Sequence, residues 1–204
     1  MSIHRVAPLS APTAVALLFT VVGRGTDWLA RRQEGDVIDL LGPMGHGFDI
    51  GPQSHNLLLI AGGIGIAPLF ALADEGTHRG LRLTLLLGAP TAAQLYPVEL
   101  MRRSAHFVVA TEDGSAGRKG TVIELSADLA DGADQIFACG PVPMYRALAA
   151  LMQGKKGEKS VQVSMEAMMG CGFGGCYGCA IETKKGPKLV CRDGPVFQLS
   201  EIFW

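Results

Sequence analysis

The hydrophobic pattern divides the chain into three stretches. Residues 1–52 read as short β runs separated by turns. Positions 15–22 (Val-Ala-Leu-Leu-Phe-Thr-Val-Val) are apolar and β-rich and stop at Gly23, and 36–41 form a shorter strand stopped by Gly42 and Pro43. A turn region is expected after the first of these, and the glycine-spotted 42–48 reads as an irregular loop. From residue 53 to 158 the period changes. Buried-type apolar runs at 57–61, 83–87, 106–110 and 135–139 alternate with helical stretches, the last at about 142–152. That alternation predicts a parallel sheet in an α/β layer. Positions 155–159 form a charged, glycine-containing linker, and 159–204 hold too little apolar material for an independent core.

Composition narrows the class. With 204 residues, 48% hydrophobic and 18% charged, the chain can bury a substantial core in one large or two small domains, and disorder is excluded. A net charge of −1 gives no sign of nucleic-acid binding. No apolar run approaches the roughly 18 residues needed to span a bilayer, and Met1 leads into no signal-type segment. A soluble, cytoplasmic protein with no membrane partner is expected.

Cysteine placement changes the picture most. Four of the five cysteines, Cys171, Cys176, Cys179 and Cys191, follow a Cys-x4-Cys-x2-Cys run with a distant fourth member, the plant-type spacing for a [2Fe–2S] cluster. Four glycines lie between the first three, where a chain wrapping a cluster needs backbone amides near sulfur and positive φ. Structural zinc more often uses two separate knuckles, and disulfides are rare in the cytosol. The spacing therefore predicts one-electron chemistry.

A second constellation follows the first parallel strand, where 62–68 read Gly-Gly-Ile-Gly-Ile-Ala-Pro. Gly62, Gly63 and Gly65 would let the backbone approach a pyrophosphate facing the next helix, and Pro68 suits that helix's first turn. The pattern departs from Gly-x-Gly-x-x-Gly, so a tight strand–helix turn without a ligand is the competing reading. The fourth strand ends in Cys139-Gly140-Pro141, where open parallel sheets bind ligands. Cys139 is expected to contact a nicotinamide, against the alternative of a buried apolar thiol.

Together these residues resemble the ferredoxin–NADP reductase superfamily, whose members join a flavin-binding barrel to a nicotinamide domain with Gly-Gly-x-Gly and Cys-Gly-Pro motifs. Within it, the stretches 165–179 and 190–197 look very like the electron-transfer subunit of NAD-dependent (class 1B) dihydroorotate dehydrogenase. The resemblance implies three domains: a flavin-binding antiparallel β-barrel, short at its N-terminus, over 1–52; an α/β NAD-binding domain over 53–158; and a small [2Fe–2S] domain over 159–204. It implies FAD, a [2Fe–2S] cluster and NAD(H) as a relay to a catalytic subunit holding FMN, in a heterotetramer of two chains of each, serving pyrimidine biosynthesis. FAD contacts carry over to Ser2, Leu18, Phe19, Thr20, Gly25 and Thr26, the last two facing phosphate with an amide and a hydroxyl; a plain β-turn is the alternative there. The family's Arg-Pro-x-Ser motif is represented only by Ser2, and the barrel strands before it are absent, which leads us to expect a translation start upstream of Met1.

Other features read more blandly. The five histidines share no ligand spacing. Residues 112–115 either line the nicotinamide site or form a solvated turn, and Lys184, Lys185 and Lys188 flank a Gly-Pro turn as solvated charges, with steering of the partner subunit as the alternative. Trp204 packs on the cluster domain or at an interface. Two other functions compete: a reductase subunit serving a hydrogenase or ferredoxin-dependent partner, and a non-enzymatic zinc-binding module.

Overall fold

A computed structural model describes residues 1–7, 14–97, 106–153, 155 and 159–204. The first elements are β1 (Ser2–Ala7), β2 (Ala14–Leu18) and α1 (Arg24–Ala30). Next come β3 (Asn56–Gly62), α2 (Ile66–His78), β4 (Arg82–Ala89), β5 (His106–Thr111), β6 (Arg118–Lys119), α3 (Val122–Leu129), β7 (Gln135–Cys139) and α4 (Val142–Gln153). The chain finishes with β8 (Ser160–Ser164), β9 (Ala180–Thr183), β10 (Gly186–Leu189) and β11 (Val196–Gln198).

A seven-stranded sheet in the order β11-β8-β7-β3-β4-β5-β6 forms the frame, parallel throughout except for antiparallel β11. The unbroken apolar runs are explained by layers on both faces. Along β3, Leu57, Leu59 and Ala61 pack toward Ile66, Leu69 and Phe70 of α2, while Leu58 and Ile60 pack with Val122 and Leu125 of α3 and Tyr145 and Leu148 of α4. The two-residue period of a strand thus feeds two cores from one segment.

Three expectations need correction. First, β2 ends at Leu18 rather than 22, and the anticipated turn region is a helix, α1. The Thr26 hydroxyl drives that start by accepting from the amides of Val22 (2.9 Å) and Gly23 (3.2 Å). Second, 36–41 form no strand: among the described residues no neighbouring strand completes a ladder with them, and Val37 and Leu40 are 87% and 77% exposed. Third, the sheet does not stop at 158, because β8 and β11 are supplied by the segment assigned to the cluster. Of the flavin-binding barrel, the described residues show the antiparallel pair β1–β2. Of the expected linker 155–159, positions 156–158 lie outside the described residues.

The cluster segment has a small core of its own. Leu189, Val190, Phe197 and Ile202 gather with Cys179 and Cys191, and Met165 and Trp204 pack against both this group and the α3/α4 core. Trp204 stacks at 5.5 Å from Tyr145 and donates its indole N–H to the Leu199 carbonyl (2.8 Å), which settles its place inside the fold. No described helix is long and apolar enough to cross a membrane.

Candidate functional site

The C-terminal ends of β3, β4, β5 and β7 open into a cleft of about 360 Å³, bounded by Gly62, Gly63, Pro90, Glu112, Thr121 and Pro141. Its floor exists because two glycines meet. A Cβ on Gly62 would lie 2.9 Å from both the Met144 Sδ and the Pro141 Cδ, and one on Gly140 would lie 3.1 Å from the Gly62 Cα. Gly63 has φ +54° and open space above it, so its backbone is bare toward a ligand at the start of α2. Across the cleft, Thr121 and Glu124 form a reciprocal cap at the start of α3. The Thr-x-x-Glu pattern at 121–124 is the sequence signal for that wall, and it lies outside the glycine and cysteine motifs.

Three predicted site residues stand elsewhere. Gly65 is buried beneath the turn, and a Cβ there would strike the Cys139 carbonyl. Pro68 sits in the first turn of α2 as expected but faces a separate hollow beside Ile3, Val6 and Phe48. Cys139 is 2% exposed and its side chain does not line the cleft; burial pushes its thiol up to about 11. Of the neighbouring Gly140 and Pro141, Pro141 lines the cleft. Their turn is held from below by Tyr145, whose hydroxyl accepts from the Gly140 amide (3.0 Å) and donates to the Ser164 carbonyl (2.5 Å).

In the N-terminal segment, Ser2 lies directly opposite Leu18 in the β1–β2 ladder, with Phe19 and Thr20 following. The structure therefore brings together one end of the predicted flavin contacts. Thr26 departs from expectation: its hydroxyl also donates to the Gly23 carbonyl (3.0 Å), so its capacity is used inside the α1 cap and not turned to a phosphate. Gly25 has open space at its Cα.

The cysteine loop is built from backbone turns. Gly172, Gly174 and Tyr177 have φ of +77°, +88° and +59°, which curls the chain so that amides point at sulfur. Cys171 Sγ accepts from the amides of Gly175 (3.2 Å) and Cys176 (3.4 Å), and Cys176 Sγ from Gly178 (3.4 Å). The backbone amides of Cys176, Phe173 and Gly175, led by that of Cys176, lower the Cys171 thiol to about 6. Cys179 and Cys191 are buried with their sulfurs 3.3 Å apart. The Cys191 amide donates to the Cys179 sulfur and lowers that thiol, while sharing a proton with Cys179 raises Cys191. All four are free of disulfides, and among the described residues no three metal-binding side chains converge on one point. A two-iron cluster needs two thiolates per iron, so a Cys179–Cys191 pair and a Cys171–Cys176 pair suit it, and the amides directed at sulfur would hydrogen-bond and stabilise its thiolates.

The N-terminal segment touches this site. Gly45, at φ +72°, packs against the Gly194 carbonyl, the His46 amide donates to that carbonyl (2.5 Å), and the Val196 amide donates to His46 (3.3 Å). The loop 42–48 thus abuts the turn that carries Cys191.

Parallel sheet, glycine-floored cleft and cysteine loop define an oxidoreductase of the ferredoxin–NADP reductase type with an added iron–sulfur domain. The family described as "Oxidoreductase NAD-binding domain" matches residues 59–150, and "Iron-sulfur cluster binding domain of dihydroorotate dehydrogenase B" matches 166–203. The chain is 37% identical over 193 residues to the "Dihydroorotate dehydrogenase B (NAD(+)), electron transfer subunit" of Bacillus cereus (strain G9842) and 38% identical over 191 residues to that of Bacillus caldolyticus, in each case covering 91% of this chain and 73% of the relative. A solved structure reported as "Insights into flavin-based electron bifurcation via the NADH-dependent reduced ferredoxin-NADP oxidoreductase structure" superposes with a TM-score of 0.80 at 32% identity, covering 91% of this chain and 67% of the other. The chain belongs to the family of electron transfer subunits of dihydroorotate dehydrogenase B.

Proposed function

We propose that this chain relays electrons between NAD and the catalytic subunit of dihydroorotate dehydrogenase B, within pyrimidine biosynthesis, through FAD and a [2Fe–2S] cluster held by Cys171, Cys176, Cys179 and Cys191. When bound, the flavin supplies exchange between electron pairs and single electrons, and the cluster supplies single-electron transfer. The rest is positioning by the chain's own residues. Gly62 and Gly63 bring bare backbone to the nicotinamide cofactor, Pro141 lines the same cleft beyond the Gly140 turn, and the Ser2/Leu18 end of the β1–β2 pair offers flavin contacts. The loop 42–48 holds the flavin segment against the Cys191 turn. The observation that carries this reading is the continuity of cleft and cluster: β7 runs through Gly140 to Pro141 on the cleft wall, its neighbour β8 leads from Ser164 into the cysteine loop, and Tyr145 bonds to both Gly140 and Ser164.

The exit lies at Cys176, which is exposed in a segment that also exposes Met168 (92%), Phe173 (58%) and Tyr177 (67%). Such apolar surface suits contact with a partner; the partner we propose is the FMN-bearing catalytic subunit, two chains of each forming the complex. The test is reconstitution with that subunit, with flavin and iron assayed. Cys176→Ser is expected to abolish dihydroorotate-dependent NAD+ reduction while NADH oxidation by ferricyanide continues. Retention of the dihydroorotate activity in the variant would overturn the proposal. A second reading, delivery to a ferredoxin-type partner, is favoured by the 32% identity to the NADH-dependent ferredoxin–NADP oxidoreductase structure; it predicts ferredoxin reduction with no gain from the dihydroorotate subunit.

A further inference from the structure

One buried side chain joins the cleft wall to the cysteine segment. Tyr145 stands near the start of α4, is 1% exposed, and donates its amide to the Pro141 carbonyl (3.4 Å). Its hydroxyl accepts from the Gly140 amide and donates to the Ser164 carbonyl. The series of bonds runs on past that carbonyl. The same peptide group carries the Met165 amide, which donates to the Pro195 carbonyl (2.8 Å). The next peptide group in turn carries the Val196 amide, which donates to the His46 carbonyl (3.3 Å). Every donor in the series points the same way, from Gly140 toward the 42–48 loop, so each bond polarises the next. Tyr145 supplies its only side-chain link, and without the hydroxyl the two ends are separate.

The surroundings hold that link in place. Burial raises the Tyr145 pKa, so the hydroxyl stays a donor at ordinary pH. Its ring stacks on Trp204, whose indole is anchored on the Leu199 carbonyl just after β11. Ring and hydroxyl thus both meet the β8–β11 segment, while the backbone amide meets the cleft wall. A cofactor seated against Pro141 presses on a turn that Tyr145 grips at Gly140 and Pro141, and the other end of the grip is the strand leading to the cysteines. We infer that Tyr145 is a positioning residue that couples occupancy of the dinucleotide cleft to the turn carrying Cys191. The inference rests on the cleft being the nicotinamide site and on the cysteine loop holding the cluster, as proposed above.

The test is amide hydrogen exchange on the full chain in its complex, with NAD+ as the probe and its binding followed by calorimetry. Saturating NAD+ is expected to slow exchange at Met165 and Val196 in the wild type by about fivefold, the lower end of ordinary coupling between sites. Tyr145→Phe keeps the ring on Trp204 and leaves the Gly140 amide and Ser164 carbonyl without their shared partner. In that variant, at NAD+ concentrations that saturate it, the response at Met165 and Val196 should vanish. The cluster's midpoint potential, read by an EPR-monitored titration, should move on NAD+ addition in the wild type and hold still in the variant, which a loss of stability alone would not produce. If NAD+ binds the wild type and the two amides do not respond, the coupling is overturned while the cleft assignment stands. An equal response in Tyr145→Phe overturns the role of the hydroxyl. If NAD+ does not bind the wild type, the cleft assignment falls and the inference falls with it.

Discussion

At Gly65 a Cβ would run into the Cys139 carbonyl, whereas at Gly63 it would meet open space at φ +54°. The glycine motif was legible in the sequence, but which glycine faces a ligand and which faces a neighbouring strand was not, because that depends on where β7 ends. The two positions should separate experimentally. Gly65→Ala is expected to destabilise the fold by about 1–3 kcal/mol through overpacking, lowering the melting temperature by several degrees. Gly63→Ala is expected to raise the KM for NADH with a smaller stability loss of about 1 kcal/mol from its left-handed backbone. Equal melting temperatures for Gly65→Ala and wild type would refute the packing assignment. The same lesson holds at Cys139, whose position at a strand end was readable while the direction of its side chain, inward to the core, was decided by packing.

At the scale of elements, distant residues hold the N-terminal segment to the sheet. His4 of β1 is 9% exposed, its Nδ1 3.3 Å from the Ala67 carbonyl of α2 and its Nε2 2.8 Å from the Tyr96 hydroxyl. With Nδ1 donating and Nε2 accepting, the neutral ring is satisfied on both sides, and burial holds its pKa below the ordinary 6.5. The unfolded chain therefore takes up this proton first. Stability from His4 is full above pH 6.5, declines as pH falls from there toward the lowered folded value, and is flat below it. Melting curves between pH 8 and pH 5 should show that decline in the wild type and lose part of it in His4→Gln; identical pH profiles would remove His4 as its source.

Buried amides tie the next stretch down. Gln135 donates to the Asp49 carbonyl (2.8 Å) and accepts from the Gly51 amide (2.9 Å), and Gln162 bonds both the amide and the carbonyl of Asp49. Lys159, read from sequence as part of a charged linker, instead donates to three carbonyls just beyond α3, those of Ala130, Asp131 and Ala133. The strands themselves were written in apolar runs; these long-range bonds were not, since a single Gln or Lys carries no periodic signal.

For the molecule as a whole, the parallel sheet has two large cores while the cysteine segment has a small one that includes two of its own cysteines, Cys179 and Cys191. Removing the metal should therefore act locally. Chelating the iron is expected to speed amide exchange across β9, β10 and the 171–179 loop while β3, β4 and β7 stay protected. A single cooperative loss of protection throughout the chain would show instead that the cluster supports the entire fold.

The sequence by itself determined the chemistry and the layer plan. Cysteine spacing, glycine turns and unbroken apolar runs are local patterns, and each is imposed by local geometry or by a strand buried on both faces. Only the tertiary structure decided the rest: that β8 and β11 complete the sheet, that 36–41 lack a strand partner among the described residues, that Thr26 caps a helix and that Glu112 lines the cleft. Each of these depends on what lies beside a residue across the fold, and pairing between segments far apart in the chain leaves little mark on either segment alone.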